Sequence, residues 1–349
     1  MTFDPNAAAS PDSGVFGLLD TPEEATVVLV PVPWDATTSY RAGTSRGPAA
    51  ILEASRQVDL FDVETGRPYL AKLAMLPENG RVLAMNEEAR ALAERVIAVG
   101  GAIGHDRALE EALARVNELS HDINGLVHET VRAWLDRDKV VGLVGGDHST
   151  PFGSIRAHAE RYPGLGVLHV DAHADLRRAF EGFEFSHASI MDNVLEQIPG
   201  VAKLVQVGVR DFCEEELERI QGSKGRVVTH FDVAIARARM KGELLGLFDA
   251  IAASLPKDVY VSFDVDGLDP TLCPHTGTPV PGGLSFHEAS ALVAAIVRAK
   301  KRIVGFNLNE VAPGDEGDEW DANVGARLLY KLVGWTLLSR NIGAAPSVL

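Results

Sequence analysis

Short apolar runs rich in Val, Leu and Ile punctuate the chain at residues 26–32, 140–144, 167–170, 204–209, 227–229, 259–263 and 303–308. They are continuous rather than alternating, the pattern of strands buried on both faces of a parallel sheet. Between most of them lie segments with helical spacing, at 149–160, 188–197, 214–220, 241–254 and 286–298, preceded by others at 48–56, 86–99 and 107–135. Strands alternating with helices predict an α/β fold whose site lies at the carboxyl ends of the strands. Residues 1–25 read as a polar tail broken by Pro5, Pro11, Gly14 and Gly17, and 59–80 show no clear period. Residues 26–349 carry no internal repeat or linker and are expected to form a single domain.

The ends of three predicted strands carry the same kind of chemistry. Val167, Leu168, His169 and Val170 lead directly into Asp171, His173 and Asp175, ionisable groups on alternate residues. Alternation at a strand end puts all three on one side of the backbone, where two carboxylates and an imidazole repel one another unless a cation is bound. The run ending at Val144 leads into Gly145, Gly146, Asp147 and His148, and the run ending at Phe263 into Asp264 and Asp266. Asp171, His173, Asp175, His148, Asp264 and Asp266 together offer four carboxylates and two imidazoles. That is more charge than one divalent ion needs, and it suits two ions sharing carboxylates, which bring water near its deprotonation point at neutral pH. An oxygen-rich set with one histidine per ion favours Mn(II) before Zn(II), with Ni(II), Co(II) and Fe(II) as alternatives. Asp147, beside a ligand, is expected to orient His148 or its loop.

Composition narrows the partners. A formal net charge of −16 argues against nucleic acid or an anionic membrane and is compatible with a small cationic substrate. Cys213 and Cys273 are the only cysteines and form no CxxC pair, and no apolar run is long enough to cross a membrane. The expected location is the cytoplasm.

The motifs GGDHS, DAHAD and SFDVDGLDP, in this order and spacing, resemble the signatures of the ureohydrolase (arginase and agmatinase) superfamily. The resemblance extends over residues 26–338 and includes PWDATTSYRAGTSRGP near the start. It implies a three-layer α/β/α fold on a mostly parallel eight-stranded sheet, a homo-trimer or homo-hexamer, and a pair of metal ions, usually manganese. It implies further that His148, Asp171, Asp175 and Asp264 hold one ion and His173, Asp171, Asp264 and Asp266 the other. His187, in FSHAS, corresponds to a mobile-loop histidine that shuttles protons, and Glu310, in NEVAP, to a glutamate that pairs with a guanidinium. Asp175 is the group expected to pass a proton to the leaving amine.

The implied reaction is hydrolysis of a guanidino compound, agmatine-like or another, to urea and an amine. Free guanidine or arginine are alternative substrates, and hydrolysis of a formimino group with release of formamide is the alternative chemistry. A non-catalytic relative is disfavoured because all six ligand positions are filled. Where the arginase pattern has an asparagine for the amino-acid head group, this chain has Arg177, followed by Arg178; Arg177 is a candidate to contact the substrate, for example through a carboxylate, with a solvated loop arginine as the alternative. The sequence resembles a bacterial agmatinase-like subgroup, some of whose relatives use free guanidine and nickel. Trp34, Asp35 and Thr37, and residues 275–278, are candidate walls of the substrate pocket, with Asp35 the expected contact. No ligand role falls on Cys273.

Overall fold

A computed structural model of the chain describes residues 4–315 and 317–346. Among the described residues, eight strands form one sheet: β1 (Val27–Val32), β2 (Leu73–Met75), β3 (Val140–Gly145), β4 (Leu165–Val170), β5 (Val201–Val207), β6 (Val227–His230), β7 (Asp258–Asp264) and β8 (Arg302–Asn309). The order across the sheet is β2-β1-β3-β8-β7-β4-β5-β6. Every neighbouring pair is parallel, so the sheet is wholly rather than mostly parallel.

Parallel strands need crossovers, and helices supply them on both faces. One face packs α2 (Gly80–Ile97), α3 (Arg107–Leu135), α4 (Phe152–Arg161) and α5 (Ile190–Gln197), while α6 (Glu214–Gly222) lies against the β6 edge. The other packs α1 (Gly47–Ser55), α7 (Asp232–Lys241), α8 (Leu244–Ser254), α9 (Phe286–Arg298) and α10 (Trp320–Ser339). The central strands feed both layers, which is why their runs are apolar throughout. Leu168, Val170, Val259 and Val261 join the core under α8–α10, whereas Val167 and Tyr260 join the core under α4 and α5.

Several boundaries differ from the sequence expectation for local reasons. The helix expected at 86–99 begins at Gly80, capped by the Asn79 side chain on the Arg81 N–H, a start hidden because the first turn carries little apolar periodicity. The helix expected at 241–254 is α8, beginning at Leu244, and it is preceded by the unanticipated α7, which Gly242 closes with φ 72°. The aperiodic stretch 59–80 contains the three-residue edge strand β2, and the apolar α10 was not anticipated. The polar tail is tied into the fold: Val15, Phe16 and Leu18 join the core, and the Phe16 N–H donates to Ser55 Oγ.

β3, β8, β7 and β4 are adjacent in the centre of the sheet, although β4 follows β3 in sequence. The chain reverses its direction of growth between them, and this is where an open parallel sheet leaves a crevice at its carboxyl edge.

Candidate metal centre

The candidate ligands converge in that crevice. His148 comes from the turn after β3, Asp171, His173 and Asp175 from the end of β4, and Asp264 and Asp266 from the end of β7. His148 Nδ1 lies 2.8 Å from Asp171 Oδ2, 3.2 Å from Asp175 Oδ2 and 3.3 Å from Asp264 Oδ2. His173 Nδ1 lies 2.9 Å from Asp266 Oδ2 and 3.4 Å from Asp171 Oδ1. Asp171 therefore faces both imidazoles, one with each oxygen. All are buried except His173, whose side chain is 23% exposed and opens to solvent.

Local backbone constraints produce this convergence. The turn after β3 passes so close to its neighbours that a Cβ on Gly145 would sit 2.1 Å from Asn309 Nδ2, and one on Gly146 2.1 Å from the Trp34 carbonyl oxygen. Asn309 holds the same turn by donating to the Asp147 carbonyl at 2.6 Å. Asp175 adopts φ 55° and Glu310 φ 65°, left-handed conformations unusual for side chains of this kind and concentrated at functional sites. The Asp175 carbonyl accepts the Met191 N–H at 3.0 Å, which anchors the strained residue to the start of α5.

The electrostatics call for cations. Burial and the neighbouring Asp266 and Asp171 raise the Asp264 carboxyl well above its ordinary range, and burial with Asp171 pushes Asp175 up to about 8. Burial opposes charge on His148 and His173, yet the surrounding carboxylates raise both well above the usual imidazole value. Carboxylates outnumber the imidazoles here, so without ions the set is balanced only by keeping protons on Asp175 and Asp264 as well, and divalent ions at the same atoms would take the place of those protons. His148 is prepared for that role: Ser262 Oγ lies 2.9 Å from its Nε2, which leaves Nδ1 to face the carboxylates. The donor set thus fits two divalent ions.

A cavity of about 150 Å³ opens beside His173 and Asp175 and is lined also by Arg177, His187, Asp211 and Phe212. His187 is half-buried, and burial together with the charge on His173 lowers its pKa to about 4. Glu310 is buried at the end of β8, where its Oε1 accepts the His148 N–H at 2.7 Å and its Oε2 has no partner among the described residues. Burial, Asp264 and Asp147 push its carboxyl well above the ordinary range, so a donor cation at Oε2 would be strongly favoured.

Not every candidate reaches this space. Asp35, expected to touch substrate, is buried behind it: Oδ2 accepts the Gly43 and Ser45 N–H groups at 2.8 and 3.2 Å, and Oδ1 accepts Asn86 Nδ2 at 3.1 Å. Its carboxylate is consumed in folding its own loop. Trp34 is likewise buried and away from the cavity, while Thr37 donates to Asp147 Oδ2 at 3.2 Å. Asp147 also accepts the Ser149 N–H at 3.0 Å and so shapes the His148 turn. Thr278 reaches the cavity and Thr276 donates to the Glu310 carbonyl at 2.8 Å, whereas His275 pairs with Asp321 outside it. Cys273 is buried in the core. Arg177 lines the cavity, but its guanidinium lies over the Phe180 ring, with Nε 3.8 Å from Glu216 Oε2. Arg178 is exposed.

Sequence reasoning passed over Asp211, Phe180, Phe212, Ser262 and His169. The last two were accessible by extending the alternate-residue series two positions back from Asp264 and Asp171. The cavity residues lie on loops with no period to mark them.

Eight parallel strands with paired carboxylates and imidazoles at the carboxyl edge define an α/β/α protein with a candidate two-metal site at the switch point of its sheet. The model of the Arginase family matches residues 25–334. The N(1)-aminopropylagmatine ureohydrolase of Thermus thermophilus is 37% identical over 323 residues, 92% of this chain and 94% of that protein. The agmatinase of Bacillus cereus is 30% identical, covering 90% and 93%. The solved proclavaminate amidino hydrolase of Streptomyces clavuligerus superposes with a TM-score of 0.69 at 24% identity, over 96% of this chain and all of that one, and so shares the fold. The chain belongs to the arginase family, whose ureohydrolases use two metal ions to hydrolyse amidino carbon–nitrogen bonds.

Proposed function

We propose that this enzyme releases urea from a linear guanidino compound with a cationic amine tail, of the agmatine or aminopropylagmatine kind. The observation that carries the reading is Glu310: a buried carboxylate beside the ligand cluster, with one oxygen fixed by the His148 N–H and the other free to accept from a guanidinium. The tail assignment rests on the cavity mouth. Arg177 is balanced by Glu216, leaving the exposed Asp211 carboxylate beside Phe212 as the group that faces the solvent end of a bound chain. An ammonium suits a carboxylate next to an aromatic ring. The names of the relatives in Thermus thermophilus and Bacillus cereus agree.

In this reading His148, Asp171, Asp175 and Asp264 hold one Mn(II) and His173, Asp171, Asp264 and Asp266 the other. Bound there, the ions supply Lewis acidity that lowers the pKa of water at the site. Glu310 Oε2 accepts guanidinium N–H and holds the central carbon beside the carboxylates, converting attack into a reaction between positioned groups. Asp175 passes the proton released by the attacking water to the leaving nitrogen. His187, neutral at physiological pH, exchanges protons between the cavity and solvent. A homo-trimer or homo-hexamer would cover exposed side chains such as Met240 and Leu245, and the two free cysteines suit a reducing cytoplasm.

The test is urea release with Mn(II) across agmatine, aminopropylagmatine, arginine, guanidinobutyrate and guanidine. Urea is expected from the two amine-tailed compounds at a kcat/KM well above the rest. Urea from guanidinobutyrate alone would return the tail contact to Arg177, and formamide from a formimino substrate without urea would replace the reaction.

A further inference from the structure

Directly beneath the ligand layer the sheet carries a row of polar side chains. Gln206, His169, Ser262 and Asn307 stand in register across β5, β4, β7 and β8, and all four are fully buried. Ser262 serves His148, as described. His169 has no role so far, although its Nε2 lies 2.9 Å from Asp171 Oδ2 and its Nδ1 3.1 Å from Gln206 Nε2. A histidine so close to the cluster is either a third imidazole ligand or a donor to a ligand, and the two require opposite tautomers.

Ala174 decides between them. Its carbonyl lies 2.6 Å from the Gln206 side-chain amide. A carbonyl only accepts, so the amide must present its NH₂ there rather than its oxygen. The remaining end agrees: Gln206 Oε1 accepts the Thr229 hydroxyl at 2.8 Å. With the amide fixed, the group facing His169 Nδ1 is also NH₂, so Nδ1 accepts and carries no proton. A neutral ring with a bare Nδ1 holds its proton on Nε2, leaving no lone pair there for a metal ion. That N–H points at Asp171 Oδ2.

We propose that His169 is a positioning residue, locked by Thr229, Gln206 and the Ala174 carbonyl so that its Nε2–H fixes the carboxylate that both ions share. The opposite oxygen of Asp171 is fixed by the His173 N–H at 2.6 Å, so the carboxylate is held from both ends. Rotation about its terminal bond would change the direction of both ligand oxygens, which is how a partner of this kind sets metal affinity. The inference rests on the two-ion reading above.

Two measurements test it. In full-length protein labelled with ¹⁵N-histidine and loaded with Zn(II) as a diamagnetic ion, long-range proton–nitrogen spectra report the tautomer, with His169 assigned by its loss in His169→Phe. A proton on Nε2 is expected; a proton on Nδ1, or a metal-shifted Nε2, would overturn the proposal. Calorimetric Mn(II) titration of Gln206→Leu and His169→Phe is expected to retain two ions per chain with affinity lowered by about tenfold or more. Gln206→Glu, which asks His169 for a proton on Nδ1, is expected to weaken Mn(II) further than Gln206→Leu does. Wild-type affinity in all three variants, or one ion fewer in His169→Phe, would overturn the assignment. Wild-type protein that takes up fewer than two ions removes the two-ion reading itself, a result obtained before any variant is made, and the Gln206 variants carry the test if His169→Phe does not fold.

Discussion

At the scale of single residues, the site works by leaving selected polar atoms unpaired and committing the rest. Glu310 Oε2 is free while Oε1 is held. Glu216, by contrast, is fully used: Oε1 accepts the Leu176 N–H and Oε2 the Cys213 N–H, both at 2.9 Å, and Oε2 also faces Arg177. This accounting separates Asp211 from the other charges at the cavity mouth. Its carboxylate is exposed and accepts no hydrogen bond from the described residues, so its charge remains available to a substrate tail. Asp211→Asn is therefore expected to raise KM for agmatine roughly tenfold, the size of one charge-assisted contact at a partly wet site, with kcat changed little because the tail is remote from the reacting carbon. Steady-state kinetics with agmatine and guanidine side by side checks this; an equal effect on guanidine, which has no tail, would remove Asp211 from recognition.

At the scale of elements, what could be read from the chain depended on how local the cause was. The alternate acids after β4 and β7 identify a site because strand geometry alone places them on one side. The role of Asp35 could not be read in this way, since its partners Gly43, Ser45 and Asn86 are gathered by the loop and by α2, whose start was itself obscured. The sequence leaves Arg177 open as a substrate contact or a solvated arginine because Glu216, its counter-charge, is 39 residues away on α6. His158 shows the same limit on α4. It looks like an ordinary helical histidine, but its ring is fully buried over Gly305 of β8, where a Cβ would lie 2.1 Å from Nε2. Its Nδ1–H donates to the Ser154 carbonyl at 2.8 Å and Nε2 has no partner among the described residues. Burial, with Arg340 nearby, lowers its pKa to about 4. The folded state thus refuses a proton that the unfolded chain accepts near 6.5, so the stability His158 permits is full above that value and declines as pH falls toward 4. Between pH 8 and 5.5 the loss is about 1.4 kcal/mol. Denaturant titrations of wild type and His158→Phe should show their stability difference shifting in the variant's favour by about that amount over this interval; a constant difference would mean that the folded ring takes up its proton as readily as the unfolded one.

At the scale of the whole molecule, the sheet gathers at one edge more carboxyl groups than the two imidazoles beside them can pair. The four central strands bring Asp171, Asp175, Asp264, Asp266 and Glu310 into one buried region beside His148 and His173, whose imidazoles these carboxylates favour in the charged form. Burying unpaired carboxylates costs several kcal/mol unless cations or protons accompany them. The net charge of −16 adds a field that draws cations toward the crevice and would draw a cationic substrate in the same way. Because the proposed ligands come from the ends of β3, β4 and β7, ions bound among them would join strands far apart in sequence, and binding should register as global stability. At free Mn(II) about a hundredfold above Kd, each site adds about 2.7 kcal/mol. For a chain of this length two such sites correspond to a rise in Tm on the order of 5–10 °C. Scanning calorimetry after removal of metal by a chelator, and again after Mn(II) is restored, is expected to show that difference, with Asp264→Asn losing most of it because the proposed ligand set has Asp264 contribute to both ions. A chelated protein that melts at the same temperature as one supplied with Mn(II) would mean that the carboxylates are neutralised by protons alone, and the metal-dependent reading of the crevice would fall with it.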